Sequence, residues 1–243
     1  MSGEITSNLN KDSRKGQSAS IMLENLQELP LKLIVNDKLY GELICTPNHI
    51  PELVIGMLFS SGKVVSLEDF VNIRYNAHTS EVDVSTKLPL LEAQKSFSKA
   101  VIAALQEHDM PCTTTSTQDL PFDIMNKLCV LGQQMQQMRS TGLHGAMICE
   151  REEIIFHQDI SRHCAVDKAI GDGIKSGMVM ASSILLTTGR ISSELLWKAR
   201  MLHIPIIASI KYPSRTGEIV ASAWGITLAC NILTQEARVL LPK

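Results

Sequence analysis

The chain contains six cysteines but no Cys-x-x-Cys pair. That spacing is the usual source of zinc ligands and dithiol redox centres, so we predict no metal site. The sequence contains no apolar run of the roughly 20 residues that are needed to span a bilayer. The net charge of −2 does not indicate a basic surface for nucleic acid. The chain begins with polar residues and has no apolar signal-peptide core. We therefore expect a reduced, cytoplasmic protein that binds neither nucleic acid nor a membrane.

The length of 243 residues allows one large domain or two small ones. Residues 1–20 are rich in Ser, Asn, Lys and Gly, which predicts a disordered tail. Residues 21–108 are predicted to form an N-terminal α+β domain, and residues 109–121 a mobile loop rich in Cys and Thr. Residues 122–243 are predicted to form a C-terminal α/β domain, so the predicted fold class is α/β.

Strand and helix patterns follow each other in the N-terminal region. Apolar residues alternate over 31–35 and 39–45, which predicts two strands joined by a hairpin turn at Asn36-Asp37. From Ile50 the apolar residues recur at helical spacing. The N-terminal domain is therefore expected to pack a helix against a small sheet.

Three apolar runs, at 184–188, 206–210 and 226–230, alternate with helical patterns in the C-terminal half. Such runs are typical of parallel strands covered on both faces, and ligands of these sheets bind beyond the carboxyl ends of the strands. Two turns there each combine a cation with a serine that can cap the next helix: Arg190 with Ser192, and Lys211 with Ser214. Cations and free helix N–H groups favour phosphate, so we expect an anion site at this edge.

Residues 158–171 hold the densest group of polar side chains. Ser161 is a typical N-cap, and apolar residues follow it at helical spacing. Arg162, His163 and Cys164 would then occupy the first turn, which suits sulfur chemistry or a phosphorylated ligand because the helix dipole favours an anion there. The alternative is an ordinary capped helix whose charges are solvated.

The loop at 109–121 places Cys112 and a run of threonines between two prolines. A thiol on a mobile loop could reach a donor protein and then an acceptor, and only its thiolate attacks. Cys112 is therefore the candidate sulfur carrier. The alternative is an incidental thiol in a linker.

Residues 159–168 resemble the Asp-Ile-Gly-Arg-His-Asn-Ala-Val-Asp-Lys signature of the FdhD family, with Ser161 and Cys164 at the glycine and asparagine positions. The sequence Thr-Gly-Arg-Ile-Ser at 188–192 is similar to a second family motif, and His144 matches a family histidine. The resemblance implies a C-terminal mixed sheet covered by helices on a cytidine-deaminase-like plan without zinc, beside a smaller α+β domain.

The resemblance also implies a function. The protein would be an accessory sulfurtransferase that takes sulfur from a cysteine desulfurase to molybdenum bis(molybdopterin guanine dinucleotide). Its partner would be formate dehydrogenase or another molybdoenzyme, GDP the expected ligand analogue, and the assembly a homodimer. Residues implied to bind the cofactor are Arg162, His163, His144, Arg190, Ser192, Lys211, Ser214, Asn231, Ile232, Leu233, Thr234, Gln235 and Glu236.

Two departures from the family leave an alternative function open. The family's Cys-Gly-x-Cys-Gly motif is absent near Cys112, and its Gly-Phe-x-Arg segment reads Cys-Asn-Ile-Leu at 230–233. The alternative is a degenerate paralogue that binds the guanine-dinucleotide cofactor or a molybdoenzyme without moving sulfur. Under either hypothesis the retained Arg162-His163, Asp167-Lys168 and Gly189-Arg190 favour retained ligand binding.

Overall fold

The computed structural model describes residues 27–87, 89–90, 97–107, 122–140 and 142–242. The tail predicted at 1–20 and the loop predicted at 109–121, with Cys112, lie outside these residues. The described residues form two sheets with helices packed around them, which confirms the α/β fold class.

The first sheet has four strands in the order β2-β1-β4-β3. The predicted hairpin turn is confirmed, since Asn36 and Asp37 adopt the positive φ angles of 49° and 62° that a tight strand connection requires. Strands β1 and β4 pair in parallel, and the other pairs are antiparallel. The elements of this part are β1 (Leu29–Val35), β2 (Lys38–Cys45), α1 (Ile50–Ser60), β3 (Phe70–Asn76) and β4 (Glu81–Thr86).

The second sheet has six strands in the order β10-β9-β8-β7-β5-β6. Strands β7, β8 and β9 are parallel, whereas β5, β6 and β10 pair antiparallel with their neighbours, so the predicted mixed sheet is confirmed. The elements of this part are α2 (Phe97–Glu107), α3 (Phe122–Met138), β5 (His144–Glu150), β6 (Glu153–Asp159), α4 (Arg162–Lys175), β7 (Ile184–Thr187), α5 (Ser193–Met201), β8 (Ile206–Ser209), α6 (Arg215–Ala223), β9 (Thr227–Cys230) and β10 (Arg238–Leu240).

Both faces of the six-stranded sheet are buried, which explains its unbroken apolar runs. Leu185 and Leu228 face helices α4, α5 and α6 in one core cluster. Their neighbours Leu186 and Ala229 face α3 in a second cluster. Alternate residues of each strand therefore contribute to different cores, as the two-residue period of a strand requires.

The two sheets are joined through helices α1 and α4. Gly56 of α1 and Gly171 of α4 let the two backbones meet, because a Cβ at either position would lie within 2 Å of a carbonyl oxygen on the other helix, at 1.8 Å and 1.9 Å respectively. Within the described residues, no helix is long and apolar enough to cross a membrane.

Candidate functional site

One edge of the six-stranded sheet collects polar residues from several parts of the chain. The carboxyl ends of β7, β8 and β9 meet there because these strands are parallel. Strands β5 and β10 run the opposite way, so their first residues lie at the same edge, and the chain also leaves β6 there to enter α4. We define this polar edge by His144, Arg162, Arg190, Lys211 and Arg238.

Backbone hydrogen bonds join the turns after β7 and β8. The Ser214 N–H donates to the Ile191 carbonyl at 2.9 Å, and the Ser209 hydroxyl donates to the Gly189 carbonyl at 2.6 Å. Arg162 lies against the first turn, with its Cδ 3.3 Å from the point that a Cβ at residue 189 would occupy. The two turns thus share one edge, as the sequence predicts, and the structure adds the start of α4 to it; their binding of phosphate stays a prediction.

Two of the three predicted helix caps form. The Ser161 hydroxyl accepts from the Cys164 N–H at 3.4 Å and caps α4, and the Ser214 hydroxyl accepts from the Gly217 N–H at 3.0 Å and caps α6. Ser192 occupies the N-cap position of α5, but the prediction that it caps this helix is wrong. Its hydroxyl does not reach the first-turn N–H groups, and its buried Oγ has no hydrogen-bond partner.

His163 connects the start of α4 to the start of α5. Its Nε2 lies 3.2 Å from the Arg162 Nε and 3.4 Å from a carboxylate oxygen of Glu194. Burial lowers the pKa of His163, against the opposing effect of Glu194, so the neutral ring is favoured. Its Nδ1 is buried without a hydrogen-bond partner.

His144 begins β5 beside two cations. Burial lowers the pKa of His144 most, and the charges of Arg162 and Arg139 lower it further. The Arg139 guanidinium donates from its NH1 to the Leu143 carbonyl at 2.6 Å, while its buried Nε has no partner. The positive potential at this edge therefore comes from Arg139 as well as from the predicted residues.

The residues from 231 to 236 differ in what they offer a ligand. The Asn231 N–H donates to the Lys211 carbonyl at 3.2 Å, which brings the segment to the polar edge. Ile232 is only 1% exposed and belongs to the core. Leu233 packs beside Gly132 of α3. The packing of these two side chains therefore gives no support to the prediction that both contact the cofactor. The exposed members are Thr234, Gln235 and Glu236.

Two buried lysine–carboxylate pairs include residues of the signature, and both are structural. Lys168 is fully buried, with its Nζ 2.6 Å from the Asp159 carboxylate and 2.7 Å from the Asn48 side-chain oxygen. Asp167 receives two hydrogen bonds of 2.9 Å from Lys198. Asp167 and Lys168 therefore do not offer their charged groups to a ligand, because these groups are paired inside the protein; that the retained pair favours ligand binding stays a prediction.

Cys164 does not suit sulfur chemistry, although it lies on the first turn of α4. It is 5% exposed and packs against the core of the four-stranded sheet. Burial raises the pKa of the Cys164 thiol to about 12, so the reactive thiolate is not formed at neutral pH. The described residues contain no group of three or more His, Cys, Asp or Glu side chains that could hold a metal ion.

The sequence argument does not identify Arg238 of the polar edge, nor three residues that lie beside this edge: Arg139, Glu194 and Tyr212. Arg139 directly follows α3, where a cation is usually explained by the helix dipole. Glu194 opens α5, where an acid is explained in the same way. Tyr212 stands next to the predicted Lys211, but a single tyrosine has no periodic pattern that marks it; only the packing of the loops brings these residues together.

Comparison with known proteins decides the family. The model of the FdhD/NarQ family matches residues 26–241. The chain belongs to the FdhD/NarQ family. Similar proteins include "Sulfur carrier protein FdhD" of Bacillus subtilis (strain 168), 29% identical over 88% of this chain and 86% of that one. The protein of the same name from Geobacillus kaustophilus is 26% identical over 88% and 89% of the two chains.

A solved structure agrees with the FdhD/NarQ assignment. The crystal structure of a formate dehydrogenase accessory protein from Desulfotalea psychrophila superposes with a TM-score of 0.66 at 25% identity, covering 88% of this chain and 87% of that one. The resemblance to the FdhD family is thus confirmed over nearly all of the described residues. The cytidine-deaminase-like plan stays a prediction.

Proposed function

We propose that this FdhD/NarQ member is a sulfur-carrying accessory protein of a formate dehydrogenase or another molybdoenzyme. Relatives named as sulfur carrier proteins and a structural neighbour described as a formate dehydrogenase accessory protein support this class of function. Its cargo would be sulfur for the molybdenum bis(molybdopterin guanine dinucleotide) cofactor, which the protein holds as a substrate during transfer.

The convergence at the polar edge is the observation that carries this proposal. Arg190 and Lys211 are exposed, and each lies just before a helix that begins at this edge. A diphosphate there can accept from free helix N–H groups and from cationic side chains at once. The start of α5 has no side-chain cap, and the Ser192 Oγ beside it has no hydrogen-bond partner. We therefore assign the pyrophosphate of the guanine dinucleotide to this edge.

Sulfur transfer would use Cys112 and a persulfide from a cysteine desulfurase. The Cys112 thiolate attacks the terminal sulfur of the donor persulfide; a new S–S bond forms at Cys112, the donor S–S bond breaks, and the donor leaves as a thiolate. The resulting Cys112 persulfide would then deliver its outer sulfur to the cofactor: the S–S bond at Cys112 would break, Cys112 would leave as a thiolate, and the two electrons that reduce the sulfur to sulfide would come from the reduced cofactor. A homodimer, as the resemblance implies, would present two such sites.

A binding module without sulfur transfer is the second candidate function. The absence of the family's Cys-Gly-x-Cys-Gly motif favours it, because a lone thiol has no neighbouring cysteine to resolve or relay the sulfur. This candidate keeps the polar edge and its ligand and abandons only the role of Cys112. Mapping persulfides on the protein distinguishes the two candidates.

The anion site is tested with Arg190→Ala. Removing the guanidinium should leave the fold intact, because Arg190 is exposed in a turn. It should weaken GDP binding by more than about tenfold, or roughly 1.5–3 kcal/mol, the value of a charge-assisted hydrogen bond. Guanosine, which has no phosphate, should bind both proteins equally in calorimetric titrations at fixed salt.

The matched control is Arg74→Ala, which removes an exposed arginine from the four-stranded sheet. GDP should bind this variant as it binds the wild type. An equal loss of GDP and guanosine affinity in Arg190→Ala, or a lower melting temperature than the control, would show that Arg190 has a structural role and that the anion site is elsewhere.

A further inference from the structure

One ring nitrogen of His163 lies between two groups that cannot both bind it. The Nε2 is 3.2 Å from the Arg162 Nε and 3.4 Å from a carboxylate oxygen of Glu194. Arg162 can only donate, so it needs an Nε2 without a proton. Ionised Glu194 can only accept, so it needs an Nε2 that carries a proton. The proton on this nitrogen therefore decides which neighbour His163 binds.

The Arg162 side chain lies against the turn after β7. Its Cδ and Cβ are 3.3 Å and 3.4 Å from the point that a Cβ at residue 189 would occupy, so Gly189 leaves room for the stem of the arginine. The Nε–H donates to His163, and the two terminal NH2 groups have no hydrogen-bond partner among the described residues. An arginine fixed by its stem and its Nε presents its remaining N–H donors as a rigid fork, which suits bidentate contact with phosphate.

Neither arrangement of the His163 ring satisfies every group around it. When Nε2 accepts from Arg162, the proton of the neutral ring is on Nδ1, which is buried without a partner among the described residues. An unpaired buried donor is unfavourable, and in this arrangement the Glu194 carboxylate also faces a nitrogen lone pair. The choice between the two neighbours is therefore sensitive to a single proton.

Four charged groups surround the ring: Arg162 and Asp167 of α4, and Glu194 and Lys198 of α5. Burial lowers the pKa of His163 most, and both cations lower it further. The two carboxylates raise this pKa, but the net shift is downward from the ordinary value of 6.5. The ring is therefore neutral at neutral pH, the state in which Nε2 accepts from Arg162.

We propose that His163 with an unprotonated Nε2 positions Arg162 for the phosphate groups of a ligand at the polar edge, and that Glu194 binds this nitrogen once it is protonated. The inference rests on the proposed function of the polar edge. Protonation releases the Arg162 Nε, and the guanidinium then loses one of the two contacts that fix it. The contribution of Arg162 to phosphate binding should therefore be full at neutral pH and fall as the pH drops through the pKa of His163.

The first test is a double-mutant cycle at neutral pH, with inorganic pyrophosphate titrated by calorimetry at fixed salt. Arg162→Ala should weaken binding by about tenfold or more, the value of a charge-assisted hydrogen bond. In a His163→Ala background the same change should cost only about twofold, because Arg162 is no longer fixed. His163→Gln should keep most of the affinity, since its side-chain carbonyl can accept from Arg162. An Arg162→Ala loss of the same size in both backgrounds would overturn the positioning role.

The second test is the pH profile of the same affinities, with the pKa of His163 measured by NMR. Comparing variants at each pH cancels the titration of pyrophosphate itself. The Arg162→Ala loss should shrink below the measured pKa in the wild type and stay constant in His163→Gln, which does not titrate. Glu194→Gln should lower the pKa of His163 and Arg162→Ala should raise it, because each removes the charge that acts the other way. An Arg162 contribution that stays constant through the measured pKa would contradict the inference.

Arg190→Ala in the same series separates this inference from the proposed function. If pyrophosphate does not bind the wild type, or binds Arg190→Ala equally well, the proposed function of the polar edge fails together with the inference. If Arg190→Ala weakens binding but the Arg162→Ala loss does not depend on His163, the phosphate site stands and the positioning role is wrong. The control is His78→Gln, which removes an exposed histidine between β3 and β4 and should change neither the affinity nor its pH profile.

Discussion

Burial controls the chemistry of the cysteines that the structure describes. The pKa is raised by burial to about 11 for Cys45 and to about 12 for both Cys164 and Cys230. Burial also raises the pKa of Cys149. The Cys129 thiol donates to the Ile232 carbonyl at 3.1 Å and is partly buried. Four of these five thiols therefore resist ionisation in the folded protein and the fifth is held by a hydrogen bond, so Cys112 stays the candidate carrier that the sequence predicts.

Persulfide transfer should label Cys112 in preference to the other cysteines. Incubation with a cysteine desulfurase and cysteine, followed by mass spectrometry of the folded protein, should find the added sulfur on Cys112, because a thiolate must form before it can attack. A Cys112→Ala variant should carry almost no label. Sulfur found on Cys164 or Cys230 instead, or no label on folded wild-type protein, would contradict the sulfur-carrier role and favour the binding module.

At the scale of elements, the contact between α1 and α4 fixes how the two sheets meet. Gly56 and Gly171 lie at the crossing point. At each of them, a carbonyl of the opposite helix occupies the space that a side chain would fill. The close approach brings Ser60 of α1 within 2.9 Å of the Asp167 carboxylate. The start of α4, and with it Arg162 and His163, is therefore positioned by a backbone contact made farther along the same helix.

Gly56→Ala should destabilise the protein much more than the addition of one methyl group usually does. The new Cβ would lie 1.8 Å from the Asp167 carbonyl oxygen, and the two helix backbones would have to move apart. The expected loss is about 1–3 kcal/mol or more in the free energy of unfolding, measured by urea denaturation.

Gly41→Ala is the matched control for this change, because a Cβ there meets no atom within 4 Å. Its free energy of unfolding should stay within about 0.5 kcal/mol of the wild type. Equal stabilities for the two variants would mean that the helices do not meet as closely as the glycines allow.

The whole molecule is held together by buried charges between its two sheets. Lys168 of α4 donates to the Thr46 carbonyl at 3.1 Å and to the Asn48 side chain, both just after β2, while pairing with Asp159 at the end of β6. The Thr46 hydroxyl donates to Asp159 at 2.9 Å. The three segments form one closed network in which every charge has a partner.

Lys168→Met should be severely destabilising because it leaves the Asp159 carboxylate buried without its cation. The expected loss is roughly 3–5 kcal/mol in the free energy of unfolding. Adding Asp159→Asn should recover part of that loss, since the unpaired charge is then removed. The control is Lys32→Met, which breaks an exposed pair with Glu81 at 4.0 Å and should cost less than about 1 kcal/mol. A Lys168→Met loss as small as that of the control would show that the network does not join the sheets.

The sequence by itself determined the features that depend on near neighbours in the chain. The hairpin at Asn36-Asp37 and the caps at Ser161 and Ser214 form because their hydrogen bonds and backbone angles involve residues close in the chain. The shared edge of the two turns was also predictable, because parallel strands place their carboxyl ends together.

Only the tertiary structure decided which charged residues are paired in the interior and which are exposed at the polar edge. Asp167 and Lys168 resemble site residues in the sequence, yet their partners Ser60 and Thr46 lie more than 100 residues away. The pairing of Tyr212 with Glu236 likewise joins two loops that no periodic pattern relates. Burial and long-range pairing depend on how whole elements pack, and that packing is not encoded in the spacing of any single stretch of the chain.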